Sequence, residues 1–137
     1  MTENKNIQLI KEHFASFGRG DLDSALEMVA EIVDWQSPVT RSYPKEITWA
    51  KPRKSREEVK QFFQEMADRV QPEKFEIFGF IAMGNKVVVE GRNKGHIKST
   101  NRGYEHDWIM VFTLHEGKIV RHRHYYDTAD IKVAFQK

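Results

Sequence analysis

The sequence has no cysteine in its 137 residues, which excludes a disulfide framework and any thiolate metal site. It has no surplus of either charge: 22 Lys and Arg against 20 Asp and Glu leave a formal +2, too little to argue for nucleic acid as a partner. No apolar run approaches the ~18 residues of a membrane span. The opening "MTENKNIQLIKEHF" is polar and amphipathic and lacks the apolar centre of a signal peptide. No repeat or low-complexity segment is present. What the chain does have is 39% hydrophobic residues, including nine Phe, enough for a packed interior. These bounds predict a soluble, cytoplasmic protein forming one domain over residues 1–137.

The apolar spacing assigns the elements. Ile7, Ile10, Phe14 and Phe17 fall on one helical face. "GRGD" stops that helix, and Asp21 is placed to cap a second through Leu22, Ala25, Leu26 and Val29. "IVDWQSP" reads as a short strand ended by Pro38. Residues 39–54 show no period and read as loop, with the basic stretch "KPRKSR" exposed within it. Ser55 and Glu58 form an S-x-x-E capping box ahead of the stripe Val59, Phe62, Phe63, Met66 and Val70. From Pro72 onward the period becomes two. Four strands are predicted, near Lys74–Ala82, Lys86–Lys98, Tyr104–Leu114 and Lys118–Asp127, with a bulge at Ile77/Phe78 and a final helical turn from Ala129 to Phe135. Helices followed by an antiparallel meander predict an α+β fold, a curved antiparallel sheet wrapped around N-terminal helices into a cone whose open end takes a small molecule.

The residues able to do chemistry collect on one phase of the meander. Val87, Val89, Gly91 and Asn93 alternate in step, as do His106, Trp108, Met110 and Phe112, and then His122, His124 and Tyr126 in "RHRHYYD". If the apolar members face inward, the histidines and Asn93 go with them, and buried imidazoles require partners or a ligand. Trp108, Met110 and Phe112 also fit a plain core. Arg121 and Arg123, on the opposite phase, read as a solvated or interface face. His122-x-His124 with His106 is a weak metal pattern, since no glutamate stands at a supporting spacing, and no metal is predicted.

The stretches "FASFGRGDLDSALEMV", "WAKPRKSREEVKQFFQEM" and "FTLHEGKIVRHRHYYDTADI" resemble the SnoaL-like branch of the nuclear transport factor 2-like superfamily, over about Ile7 to Phe135. The resemblance implies a cone-shaped α+β fold with an internal pocket, and commonly a homodimer formed through the outer sheet face. It does not carry over one activity. Where ketosteroid isomerases keep a base aspartate, an oxyanion tyrosine and a protonated aspartate, this sequence places Ser37, His13 and Met110. Where limonene epoxide hydrolase keeps Asp, Arg and Asp, it places Asn93, Gly91 and His124. The helix aspartate of scytalone dehydratase falls at Gly18. The acid/base aspartate of SnoaL-type cyclases falls at His124.

Two functions follow as expectations. The first is a cofactor-independent acid/base isomerase, cyclase or dehydratase acting on a small hydrophobic carbonyl, hydroxy or cyclic compound. In it His124 is the acid/base and His122 its partner or an oxyanion donor. Tyr126, Asn93 and His106 orient substrate, Asp34 or Gln36 stands at the pocket mouth, and Trp49, Trp108 and Met110 form walls. The second is a non-catalytic dimeric module for ligand or protein binding. The expected partner is a small hydrophobic ligand, or for the second reading alternatively only a partner protein, and both expect a homodimer involving Ile109, Val111, Arg123 and Tyr125, with no nucleic acid, membrane or cofactor.

Overall fold

The computed structural model describes residues 2–137. Helix α1 spans Thr2–Gly18 and buries Asn6, Ile10, His13 and Ser16, with Phe14 and Phe17 flanking this line. The buried stripe is therefore more polar than the Ile/Phe spacing suggests. Gly20, at φ 73°, takes the left-handed conformation that lets the chain reverse. Asp21 then caps α2, Leu22–Glu27, its carboxylate accepting the Ser24 N–H at 3.1 Å. Val29, expected to close that helix, instead opens strand β1, Val29–Gln36.

The expected loop over residues 39–54 contains a 3-10 turn, Thr48–Ala50, and runs into a short strand β2, Arg53–Ser55. "KPRKSR" is not simply exposed: Arg53 is 2% exposed. Its guanidinium donates to the Trp49 carbonyl and to Glu65 Oε2 at 3.0 Å, and lies 5.9 Å from the centre of the Phe62 ring. A long cation most of whose donors are used can be covered by apolar surface, which charge runs in a sequence do not reveal. Helix α3, Arg56–Arg69, begins at the predicted cap, where Ser55 Oγ accepts from the Glu58 N–H at 3.1 Å. The Glu58 side chain reaches back one residue beyond the usual box, to the Lys54 N–H. Val59 and Phe62 are fully buried, and Phe63 and Met66 pack against them. Val70 leaves the helix and starts β3.

Strands β3 (Val70–Met83), β4 (Lys86–Ile97), β5 (Gly103–His115) and β6 (Lys118–Tyr126) form the meander, and α4 covers Thr128–Ala134. The β3–β4 register slips between Ile77 and Gly79, at the expected bulge, and again between Pro72 and Lys74. The six strands lie in the order β2-β1-β6-β5-β4-β3. One pairing departs from an all-antiparallel sheet: β1 runs parallel to β6. Residues 37–52 separate β1 from its antiparallel neighbour β2, which leaves the other edge of β1 free to join the end of the meander. The curved sheet closes over α1 and α3, and its inner face forms one cluster with Ile10, Trp35, Val59, Phe62, Val87, Trp108 and Phe112. No helix among the described residues is long and apolar enough to cross a membrane.

Phe62 is 2% exposed and meets Trp35 and Phe63 edge-on. Phe62→Ala is expected to lower the unfolding free energy by about 3–5 kcal/mol in equilibrium denaturation. A loss below about 1 kcal/mol would show that α3 and the meander do not share this core.

Candidate functional site

Strand register assembles the site. Across β4 and β5, Asn93 pairs with His106, Gly91 with Trp108 and Val89 with Met110. Across β5 and β6, Trp108 pairs with Tyr126, Met110 with His124 and Phe112 with His122. Paired residues share a sheet face, so the inward phase predicted for all three strands comes together. Gly91 is required there: a Cβ would collide with the Glu76 carbonyl and the Trp108 ring. Glycine lets the indole lie directly on the backbone.

The parallel β1–β6 register adds residues that alternation within the meander does not reach. Trp35 pairs with His122, and the two rings stack at 3.8 Å and 23°. On its other side His122 meets Phe112 at 4.8 Å. The strand then turns through a cis Ser37-Pro38 bond, and the Val39 N–H donates to the His124 carbonyl. This places Ser37 Oγ 3.0 Å from His124 Nδ1. His124 also meets Tyr126 at 4.6 Å and Trp108 edge-on at 5.8 Å. The Tyr126 hydroxyl accepts the Trp49 Nε1–H at 2.9 Å, so Trp49 is a wall held by a hydrogen bond. His106 stacks over Tyr126 and binds Asp130 Oδ2 of α4 through Nδ1 at 2.8 Å. Phe14 and Phe75 close over Trp108, with Phe75 stacked at 5.0 Å.

Two expectations fail in β1 and β6. Asp34 and Gln36 lie on the face opposite Trp35, away from the cluster. The Asp34 carboxylate takes the Arg123 guanidinium at 2.7 Å, which holds its pKa below the usual carboxylate value mainly through that hydrogen bond. Arg123, expected to be solvated or at an interface, is 7% exposed, and also donates to the Asp34 and His122 carbonyls. Trp35, Phe112, Ser37, His13 and Asp130 belong to the site or its support. Of these, Phe112 is legible from the strand alternation, and Ser37 and His13 as positions where relatives keep catalytic groups; Trp35 and Asp130 carry no such signal.

Electrostatically the interior is hostile to charge. His13, on α1, donates Nδ1–H to the Ala25 carbonyl, and desolvation lowers its pKa to about 4. Desolvation and the His106 ring lower His124 to about 3. His122 is pushed well below its ordinary value by burial first, then by His124, His13 and Arg123. Burial raises the Tyr126 phenol. All these groups are neutral at pH 7. Among the described residues, five buried side-chain atoms have no hydrogen-bond partner: Trp35 Nε1, Asn93 Oδ1, Trp108 Nε1, His122 Nδ1 and His124 Nε2. Buried polar atoms are nearly always paired, so their concentration on one face of the sheet points to a role outside folding. Open surface depressions of about 560 and 500 Å³ lie elsewhere, beside α2 and α3 and between α1 and β3. Among the described residues no group of three or more His, Asp or Glu is placed to hold a metal ion.

These shifts set a pH dependence. Above pH 6.5 the imidazoles are neutral both folded and unfolded. Below it the unfolded chain takes up protons that the folded interior refuses. Each such group lowers stability by about 1.4 kcal/mol per pH unit until its folded pKa is reached. Unfolding free energy is expected to fall steeply from pH 6.5 to 4.5, with His122 and His124 side-chain NMR signals unchanged over that range in the folded protein. Ring signals titrating near pH 6.5 would contradict the burial.

The SnoaL-like domain family matches residues 10–122. No curated protein matches the chain. An NTF2-like protein from Burkholderia xenovorans LB400 superposes with a TM-score of 0.84 at 30% identity, covering 98% of each chain. TerC, crystallised with polyporic acid, gives a TM-score of 0.79 at 20% identity over 95% of this chain and 97% of its own. A Xanthomonas campestris pv. campestris protein labelled a polyketide cyclase gives 0.77 at 19% identity over 99% and 100%. The family match spans most of the sheet and its helices, the whole-chain superposition extends it to both ends, and the protein belongs to the SnoaL-like domain family of NTF2-like proteins.

Proposed function

We propose that the face of the sheet around His124 binds a small, mainly apolar molecule bearing a polar oxygen, of the carbonyl, hydroxy or cyclic class. The observation carrying this reading is the group of partnerless buried polar atoms on His122, His124, Asn93, Trp108 and Trp35. An apolar wall with a few convergent polar atoms is the ordinary composition of a small-molecule site. The ligand named in the TerC structure and the cyclase label of the Xanthomonas protein support the same ligand class.

The chemistry such a site supports is cofactor-independent proton transfer or carbonyl polarisation, with His124 contacting the reacting oxygen and His122 beside it at 6.1 Å. With its pKa near 3, His124 is a weak base, and its strength lies in the neutral N–H. No carboxylate joins it, since Asp34 faces Arg123 and Asp130 is taken by His106. That observation favours the second reading, a binding module without turnover.

Asn93→Leu separates a ligand site from a structural core. It removes an unpaired buried oxygen, so unfolding free energy is expected to stay level or rise by up to about 1 kcal/mol. Stabilisation of the protein by small cyclic alcohols, whose hydroxyl can donate to that oxygen, is expected to disappear in the same variant in a thermal melt. A destabilised Asn93→Leu that still responds to the alcohols would contradict the reading.

The same proposal includes a homodimer through the outer sheet face. Ile109 and Tyr125 are cross-strand partners, 37% and 45% exposed, with Val111 beside them. Arg123 is excluded from that surface by its burial. Light scattering is expected to report a dimer at micromolar concentration and a monomer for Ile109→Arg. A monomeric wild-type protein would sink the dimer.

A further inference from the structure

We propose that His106 and Asp130 form a carboxylate–imidazole dyad in which His106 Nε2 is the base, removing a proton from the carbon beside a ligand's carbonyl. The substrate class rests on the ligand proposed above; the dyad does not.

Chain connectivity builds the pair. Strand β6 ends at Tyr126, and Asp127 caps α4, its carboxylate accepting the Asp130 N–H at 3.0 Å. That turn carries Asp130 back to β5, where its Oδ2 takes the Glu105 N–H at 2.9 Å and meets His106 Nδ1 at 2.8 Å. A carboxylate oxygen only accepts, so Nδ1 carries the hydrogen and the neutral ring keeps a lone pair on Nε2. The two nitrogens project from different sides of the ring, which turns Nε2 away from Asp130. No described residue bonds Nε2, and it is not one of the five sealed atoms, so the 6% of the side chain left open reaches it. His96 also meets a carboxylate, Glu73 at 2.9 Å, but that pair lies on the outer phase of β4 with side chains 29% and 44% exposed.

The chemistry divides between the histidines. Burial takes His124 to about 3 and His122 well below its ordinary value, so neither is suited to take a proton from carbon at neutral pH. His106 has what they lack, a carboxylate that fixes the ring and stabilises the imidazolium once Nε2 has taken the proton. It shares the inner phase of β5 with Trp108, whose unpartnered Nε1–H is free to meet an oxygen gaining charge. His106 and His124 both neighbour the Tyr126 ring, at 5.9 and 4.6 Å. The step is an enolisation. The electron pair of the C–H bond becomes a C=C bond, the carbonyl π pair moves onto oxygen, and the proton goes to Nε2. Returning it to the same carbon regenerates the ketone, and returning it to the far end of a conjugated system isomerises the ligand. His106 touches the substrate and is the catalytic residue; Asp130 acts through it and is a positioning residue.

Deuterium exchange of cyclohexanone in heavy water, followed by proton NMR, reads the base. The wild-type protein is expected to wash out the hydrogens beside the carbonyl faster than buffer alone, with saturation in ketone. His106→Gln is expected to slow this exchange by about 100-fold or more. Asp130→Asn is expected to lower the rate at saturation and leave the half-saturating ketone concentration unchanged, a split that a pair serving only to pin α4 does not produce. Long-range proton–nitrogen NMR of the wild-type protein at pH 7 needs no variant, and serves if His106→Gln does not fold. It is expected to show His106 with its hydrogen on Nδ1. An Nε2–H form, exchange that persists in folded His106→Gln, or an unchanged rate in Asp130→Asn overturns the dyad. Cyclohexanone that stabilises the wild-type protein in a thermal melt without exchanging also overturns the dyad, and leaves the binding function standing. Cyclohexanone that neither exchanges nor stabilises overturns the carbonyl ligand class and the catalytic role together, and reduces the pair to a pin for α4.

Discussion

The parallel pairing of β1 with β6 is the constraint on which the site depends. A meander of four strands could expose or bury its histidines equally well. Docking β1 in the register Trp35 to His122 settles the matter, because it stacks an indole on one imidazole and carries Ser37 to the other. The same pairing explains the outer face. Asp34 and Arg123, one residue out of phase with Trp35 and His122, meet as an ion pair that ties the two strands together from outside. Removing Asp34 leaves the buried Arg123 guanidinium without its counter-charge, whereas Asp34 itself is 58% exposed, so the polar contact on the opposite face matters mainly through Arg123.

The interior combines two tendencies that usually exclude each other. Phe62, Trp35, Val87, Val89 and Phe112 supply the apolar burial that stabilises the fold. Among them stand polar side chains whose partners are missing, each costing about 1–3 kcal/mol when left dry. A sequence shaped only for stability would have placed apolar residues there. Proteins accept such conflicts where function demands them. The depressed histidine pKa values are the same conflict in electrostatic form. An interior that desolvates imidazole strongly enough to keep it neutral also strengthens any hydrogen bond it makes to a ligand.

Much of this was legible in the sequence, and the failures have physical reasons. The inward phase of β4 to β6 is readable because each strand pairs its polar residues with unambiguous apolar ones, such as Val87 and Val89. The caps at Asp21 and Ser55 are local chemistry and read directly. The phase of β1 is not readable: in "IVDWQSP" both Ile32 and Val33 are apolar, and only the fold shows Ile32 79% exposed and Val33 buried. The burial of Arg123 and Arg53 depends on acceptors supplied from Asp34 and from Trp49 and Glu65, contacts that no residue spacing encodes. Asp130 escapes for the same reason, since it reaches His106 from a helix 24 residues further along the chain.

A high-resolution crystal structure of the protein grown with a small cyclic ketone tests the central claim most directly, that the polar atoms around His124 exist to hold a ligand. The account predicts the ketone oxygen within hydrogen-bond distance of His124 Nε2, with its ring against Trp108 and Phe75. An interior closed by side chains, with His124 Nε2 and Trp108 Nε1 both bonded to protein groups and the ketone absent, would contradict it.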